Sequence, residues 1–474
     1  MPPLSSPECT LHGRTQRTTD MNQLASDHRH FPDASLRSLA HIPGKAGIPI
    51  LGMTPALFRD FYGTINRHYA QFGLVSKIGI GLQKGVLVLG PQNCQQLLLD
   101  TERNFSSQMG YRDTAGTWFG GAILSRDFDE HRLHRRVFQT AFKFDAMQGY
   151  SEGINTIIRD ALAGWQGRQQ IVFMPFIKEL LMNVGARVFY GIDDLGDDAQ
   201  RFADAFRLIL DKGMLSLIRK DVPPLAFHYG LKGRRFVYQY LDSLIEDRRN
   251  SDGKDFMSYL VKSTRDDGTY FANEELIDHL SFLFFAAYDT TSAGLCHLLM
   301  HLAANPALQE SLRAQSLHLP QAEVTFAEVD QLPGIEMAFN EALRLYPSAS
   351  ILLRRSVRPC QIGGVEIPAH TVLFMVPGFN HRMPQYWSNP ETFDPDRFSE
   401  ERQEQRGHKF QFMPFGGGAH KCIGMNFAQM NAKLFMHQLL RQYRIRLKPG
   451  YTVRSQILPT PCPPQGLPLL IEAL

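Results

Sequence analysis

The sequence predicts a mainly α-helical fold carrying small β-sheets, an α+β arrangement built as one large domain. Three observations predict it. Helical periodicity dominates residues 93–345, short strand-like runs stand at 75–80, 86–89, 363–376 and 451–471, and no linker or repeat period divides residues 45–474. Length alone would suggest about three domains. The 43% hydrophobic content and 33 Phe instead supply one large core.

Residues 1–38 are rich in Ser, Thr, Pro, His and Arg and hold no apolar run long enough for a signal peptide or a membrane span. They read as a mobile N-terminal tail before a domain at 39–474, with Met21 as good a start as Met1. Glu8, Asp20 and Asp27 argue against a transit peptide. Residues 42–52 have the Pro/Gly pattern of a rigid lead-in strand or a turn-rich linker. A helix is expected over 55–72, then a β-hairpin turning around Gln83, Lys84 and Gly85. Residues 280–302 form a nearly all-round apolar helix, capped by Asn273 with Glu274 and Glu275 in its first turn. In its middle lies a polar patch of Asp289, Thr290, Thr291 and Ser292, costly to bury without partners. Back-bonded Ser/Thr and a solvated Asp would explain it without function. Glu341 and Arg344 stand three apart on a further helix ended by Pro347, among apolar neighbours that suggest burial.

Six scattered cysteines show no C-x-x-C pair or zinc spacing, which excludes a disulfide framework. The net charge of +3 gives no case for nucleic-acid binding. A soluble, cytoplasmic protein is expected.

The most specific stretch is FGGGAHKCIG at 415–424. Gly416, Gly417 and Gly418 permit a tight fold beneath a flat ligand. Helical spacing of Phe427, Met430, Leu434 and Leu439 places Cys422 near a helix N-terminus, where unpaired N–H groups favour an anion. A thiolate with a lowered pKa, tuned as a metal ligand, is expected there, with Gly424 keeping the backbone close to the sulfur.

Phe415, Gly418, Cys422 and Gly424 match the F-x-x-G-x-x-x-C-x-G signature, and the chain thereby resembles the haem-thiolate monooxygenases, the cytochrome P-450 family. The resemblance extends over about 430 residues with four motifs in order. It implies haem b between the central helix and the cysteine-loop helix, with Cys422 as the iron ligand. Ala286 to Thr291 is similar to the family's acid-alcohol motif, in which Asp289 and Thr290 deliver protons for oxygen activation. Glu341 and Arg344 match its E-x-x-R motif, and Pro390, Phe393, Pro395, Arg397 and Phe398 a following segment. The resemblance implies that Glu341, Arg344 and Arg397 form a buried structural network fixing the cysteine loop. His131 and Arg135 match W-x-x-x-R with His in place of Trp, and with Arg354 (or its neighbour Arg355) and His420 they would meet the haem propionates as cations. Tyr288 inside the acid-alcohol motif is a second departure.

The function implied is insertion of one atom of dioxygen into a lipophilic substrate, a fatty acid, terpenoid or steroid. The pocket would be lined by Trp118, Phe119, residues 208–217 and 349–353, and Leu458, with Tyr111 or Arg112 able to anchor a carboxylate. No C-x₄-C-x₂-C pattern or flavin domain is fused to the chain, so electrons from NAD(P)H would arrive through a ferredoxin or flavodoxin type partner and its reductase. Arg132, Arg136 and Lys421 are candidates for its landing patch. A peroxide-using peroxygenase or hydroperoxide isomerase, and a non-catalytic haem sensor, are the rival readings, and the intact acid-alcohol pair speaks against both.

Overall fold

Asn273–Ala304 is a single helix of 32 residues whose apolar side chains are buried on nearly every side, as an all-round hydrophobic helix must be. It packs against Phe173–Tyr190, Pro333–Leu345 and Ala226–Asn250. The helix begins with Ala272 at the cap position, one residue before the expected Asn273, because the Glu275 carboxylate reaches back to accept the Ala272 N–H at 3.1 Å. The computed structural model describes residues 34–474 except 36, 193–195, 215, 217 and 459. Most of the expected N-terminal tail, with Cys9 and Met21, lies outside the described residues. The chain is tied down from Ala34, whose N–H donates to His370 O at 3.3 Å.

Among the described residues, three small sheets accompany the helices. The largest runs in the order Gly44–Lys45, Val75–Ile80, Gln83–Val88, Val372–Met375, Leu352–Ser356 and Phe105–Ser106. Its hairpin turns at Gly81 and Leu82, not around Gln83 to Gly85, since Ile80 pairs directly with Gln83. Gly81, at φ +59°, supplies the left-handed backbone that the tight turn needs. The helix expected over 55–72 is two helices, Thr54–Arg59 and Phe61–Phe72. Asp60 separates them and caps the second by accepting the Gly63 N–H at 3.0 Å. A three-stranded sheet joins Tyr443–Leu447, Pro468–Ala473 and Gln170–Val172. Of the 451–471 region only its end is strand, because the Pro-rich run before it cannot fill a ladder with N–H donors. Cys360–Ile362 and Val365–Ile367 form the third sheet. Ala34–Leu474 is one compact unit, and none of its described helices is long and apolar enough to cross a membrane.

Candidate active site

The cysteine loop is held by its own backbone. Cys422 N–H donates to Phe415 O at 2.9 Å and Gly416 N–H to Met413 O at 3.0 Å. Gly418 has φ +65°, and a Cβ there would run into the Leu98 carbonyl oxygen, so only glycine fits. The helix Met425–Gln442 follows, with Gly424 at its cap position. Cys422 is exposed, yet the protein around it is dense enough that burial pushes its thiol up, against the pull of the Gly424 N–H, Arg135 and Lys421. The lowered pKa expected from the helix terminus is therefore not a property of the bare chain, because desolvation outweighs the donors. A coordinated metal would displace the proton. A Cβ added at Gly424 would meet no protein atom within 4 Å.

Beside the sulfur, the structure brings His131, Arg135, Arg354 and His420 together. The rings of His131 and His420 lie 3.8 Å apart. Arg354, His131 and Arg135 all press on His420, whose pKa burial and these neighbours lower to about 2. Burial, then Arg135 and Arg354, lower that of His131 to about 4. Both imidazoles are thus neutral in the chain as it stands. Positive charge in this cluster comes from the two arginines. Arg354 is the arginine on this side. Arg355 points to the opposite face of its strand, 3.7 Å from Asp113. His131 Nε2 is buried and has no hydrogen-bond partner. A buried donor or acceptor left unmatched costs about 1–3 kcal/mol, so the cluster is built for a group that satisfies it.

On the central helix, Thr290 is exposed although residues 291–300 are buried throughout. Its hydroxyl donates to Ala286 O at 2.6 Å, and Ser292 back-bonds in the same way to Tyr288 O at 2.7 Å. Asp289 does not join Thr290. Its carboxylate lies 2.8 Å from Lys178 Nζ of Phe173–Tyr190, and that lysine also sits 5.2 Å over the Tyr288 ring. The patch is therefore partly structural, as back-bonding predicts, and partly paired.

Glu341, Arg344 and Arg397 form one network in which each residue is at most 1% exposed. Arg344 grips Glu341 with two parallel bonds of 2.7 and 2.9 Å, and Arg397 Nε and the Asp394 N–H donate to the same carboxylate at 3.2 and 2.8 Å. The remaining guanidinium donors reach the carbonyls of His381, Pro390, Thr392, Asn389 and Ser388, and Arg397 Nη1 also meets the Glu404 carboxylate at 3.0 Å. Saturation of this kind lets a buried ion pair persist.

Several expected residues are engaged elsewhere. Trp118 and Phe119 are 1% exposed. The Trp118 ring packs against Phe227 with centroids 5.3 Å apart, and Phe119 stacks on Phe285 of the central helix at 5.2 Å. Leu215 and Leu217 lie outside the described residues. Arg112 pairs with Asp113 at 3.1 Å, and Tyr111 Oη accepts the Leu353 N–H at 3.2 Å. Arg132 and Arg136 are exposed but bound to Asp129 and Asp266, at 3.0 and 3.2 Å, leaving Lys421 exposed beside the loop. The sequence reading missed Lys178 and His381. A lone lysine in the apolar run PFIKELLMNV pointed to the first, whereas nothing local marked the second.

The sequence model of the cytochrome P450 family matches residues 42–466. Cytochrome P450 136 of Mycobacterium tuberculosis is 32% identical over 93% of this chain and 92% of its own length. Cyclooctat-9-en-7-ol 5-monooxygenase of Streptomyces melanosporofaciens is 27% identical over 86% of this chain and 90% of its own. The solved structure of a cyanobacterial member of the same family with retinoic acid bound superimposes with a TM-score of 0.81 at 23% identity, covering 91% of this chain and 99% of that one.

Proposed function

This chain belongs to the cytochrome P450 family, and from that premise we propose that it oxygenates a lipophilic small molecule at a haem b held by Cys422. Family membership makes it a haem-dependent monooxygenase that uses dioxygen and a redox partner. The observation that supports Cys422 as the ligand is the convergence beside it of Arg135, Arg354 and two neutral imidazoles, one with a buried nitrogen lacking any partner. That set fits a flat group carrying two carboxylates, to which arginine forks and neutral N–H donors bind well. The glycine at 424, where a Cβ would meet no protein atom, fits the same flat group.

When bound, the haem supplies the oxidising chemistry, and thiolate donation favours O–O cleavage. The chain's own residues do the rest. Thr290 offers its oxygen lone pairs to a water, since its proton is committed to Ala286 O. Asp289, oriented by Lys178, takes up protons from solvent and passes them on toward that water. Glu341, Arg344 and Arg397 hold the loop that carries the sulfur.

We favour a terpenoid among lipophilic substrates, ahead of a steroid or fatty acid. Support comes from the relative whose name states that it acts on cyclooctat-9-en-7-ol. For the partner, a small acidic ferredoxin or flavodoxin with its reductase suits the exposed Lys421, with Arg132 and Arg136 exchanging Asp129 and Asp266 for its carboxylates. A cytoplasmic setting suits NAD(P)H as electron source and the free cysteines.

The test is turnover of purified protein with NAD(P)H and a redox chain, compared with peroxide alone, after screening lipophilic compounds for a low-to-high-spin shift. Product that requires NAD(P)H, dioxygen and the redox chain supports the reading. Product from peroxide alone, or none with any ligand that shifts the spin state, rejects it.

A further inference from the structure

Midway along the central helix, four backbone carbonyls take a side-chain donor. Thr290 Oγ1 donates to Ala286 O at 2.6 Å, Ser292 Oγ to Tyr288 O at 2.7 Å, His297 Nδ1 to Ala293 O at 2.6 Å, and Ser348 Oγ to Thr290 O at 2.7 Å. Three of those donors belong to the helix itself. Ser348 comes from outside it, on the loop that follows Pro333–Leu345. In a regular helix each carbonyl already serves the N–H four residues on. A second donor draws the carbonyl outward and bends the helix locally.

The loop that carries Ser348 is itself fixed. Arg382 Nη2 donates to Leu345 O at 2.6 Å, Ser350 Oγ donates to Ile457 O at 3.2 Å, and Pro347 is buried between them. The Ser348 hydroxyl is thus presented from a rigid support, whereas Thr290, on which it acts, is exposed. Two hydrogen bonds run in series through Thr290. Ser348 holds its carbonyl, and its own hydroxyl holds the carbonyl one turn back.

We propose that Ser348 is a positioning residue for proton delivery. It pins the backbone of Thr290 so that the threonine hydroxyl is aimed with its lone pairs toward the substrate side. This rests on the reading of Thr290 as the residue that handles protons. Ser348 touches neither reacting atom in this role and acts only through Thr290.

The experiment compares wild type, Ser348→Ala and Ser348→Thr as haem-loaded proteins. Three quantities are read: product and hydrogen peroxide per NAD(P)H consumed, the midpoint of thermal unfolding, and hydrogen exchange of amides 286–294. Ser348→Ala is expected to raise the peroxide-to-product ratio about fivefold, the weight of one ordinary hydrogen bond, and to speed exchange in that segment, with the unfolding midpoint unchanged. Ser348→Thr, which keeps the hydroxyl, restores both. An unchanged ratio in Ser348→Ala, or the same loss in Ser348→Thr, overturns the proposal. Should wild type form no dioxygen-dependent product, the proposed function fails, and exchange alone then judges the pin: no change in amides 286–294 on removing the hydroxyl overturns it.

Discussion

His381 bridges the glutamate–arginine network to the cysteine loop, for its Nε2 accepts the Met413 N–H at 2.9 Å. Its Nδ1 meets Arg344 O at 3.0 Å. A carbonyl can only accept and an amide N–H only donate, so the ring is the neutral Nδ1–H tautomer. Met413 O in turn accepts the Gly416 N–H at 3.0 Å. One imidazole therefore transmits the rigidity of Glu341 and Arg344 to the loop that carries Cys422.

That tautomer leads to an acid-stability prediction. Burial lowers the pKa of His381 and His297 to about 3 and of His134 and His301 to about 4, from an ordinary 6.5. The fold prefers these rings neutral while the unfolded chain binds protons near 6.5. Their contribution is complete above about pH 6.5 and is lost as pH falls toward 4 and then 3, at about 1.4 kcal/mol per pH unit for each group. Urea midpoints measured from about pH 7 to pH 5 should fall steadily. A flat profile would show that the rings are not held neutral.

Removing Glu341 should be severe. Glu341→Ala leaves Arg344 buried without its carboxylate and Arg397 with Glu404 alone, a loss of about 3–5 kcal/mol. Glu341→Gln, which keeps the shape and one acceptor, should lose less. Chemical denaturation of the two variants decides. Equal stability of wild type and Glu341→Ala would mean that the network contributes nothing.

Two glycines of the cysteine loop should behave oppositely. Gly418→Ala strikes Leu98 O and carries a left-handed φ, so it should destabilise the protein with or without haem. Gly424→Ala meets no protein atom and has φ −86°, so haem-free stability should hold while haem retention falls. Cys422→Ala should abolish the thiolate-type spectrum of the reduced carbon monoxide complex. Haem transfer to a competing apoprotein measures retention, and equal retention in Gly424→Ala would show that no ligand packs there.

Much of this was legible in the sequence because it is local. The F-x-x-G-x-x-x-C-x-G spacing, the all-round apolar helix and the Glu341–Arg344 interval each fall within a few turns of chain. The His381 bridge spans 32 residues to Met413, and Lys178 meets Asp289 across 111 positions. Such pairings depend on how helices cross, which periodicity does not encode. The hairpin turn was misplaced because a Gly follows Gln83 and Lys84, yet Gly81 supplies the turn. That burial disfavours charge on His131 and His420 also depends on packing, of which composition says nothing.

Asp289 and Thr290 should fail differently when altered. Asp289→Asn, with Lys178 left facing a neutral amide, should slow NAD(P)H oxidation about a hundredfold, the low end of what general acid–base groups contribute, without changing how electrons divide. Thr290→Ala should leave haem content and the ligand-induced spin shift nearly intact while diverting reducing equivalents into hydrogen peroxide. Thr290 is exposed midway along a buried helix, and its hydroxyl proton is already given to Ala286 O. What it can offer is an acceptor that holds a water in place. Losing that water permits the reduced oxygen to leave as peroxide before its O–O bond is split, so cofactor consumption continues while product falls. Thr290→Ser keeps the acceptor and should retain most of the wild-type product per NAD(P)H, whereas Thr290→Val keeps the shape and should not. An unchanged ratio in Thr290→Ala would make this threonine an ordinary helix residue, and efficient product formation from added peroxide by wild type would then favour the peroxide-using alternative.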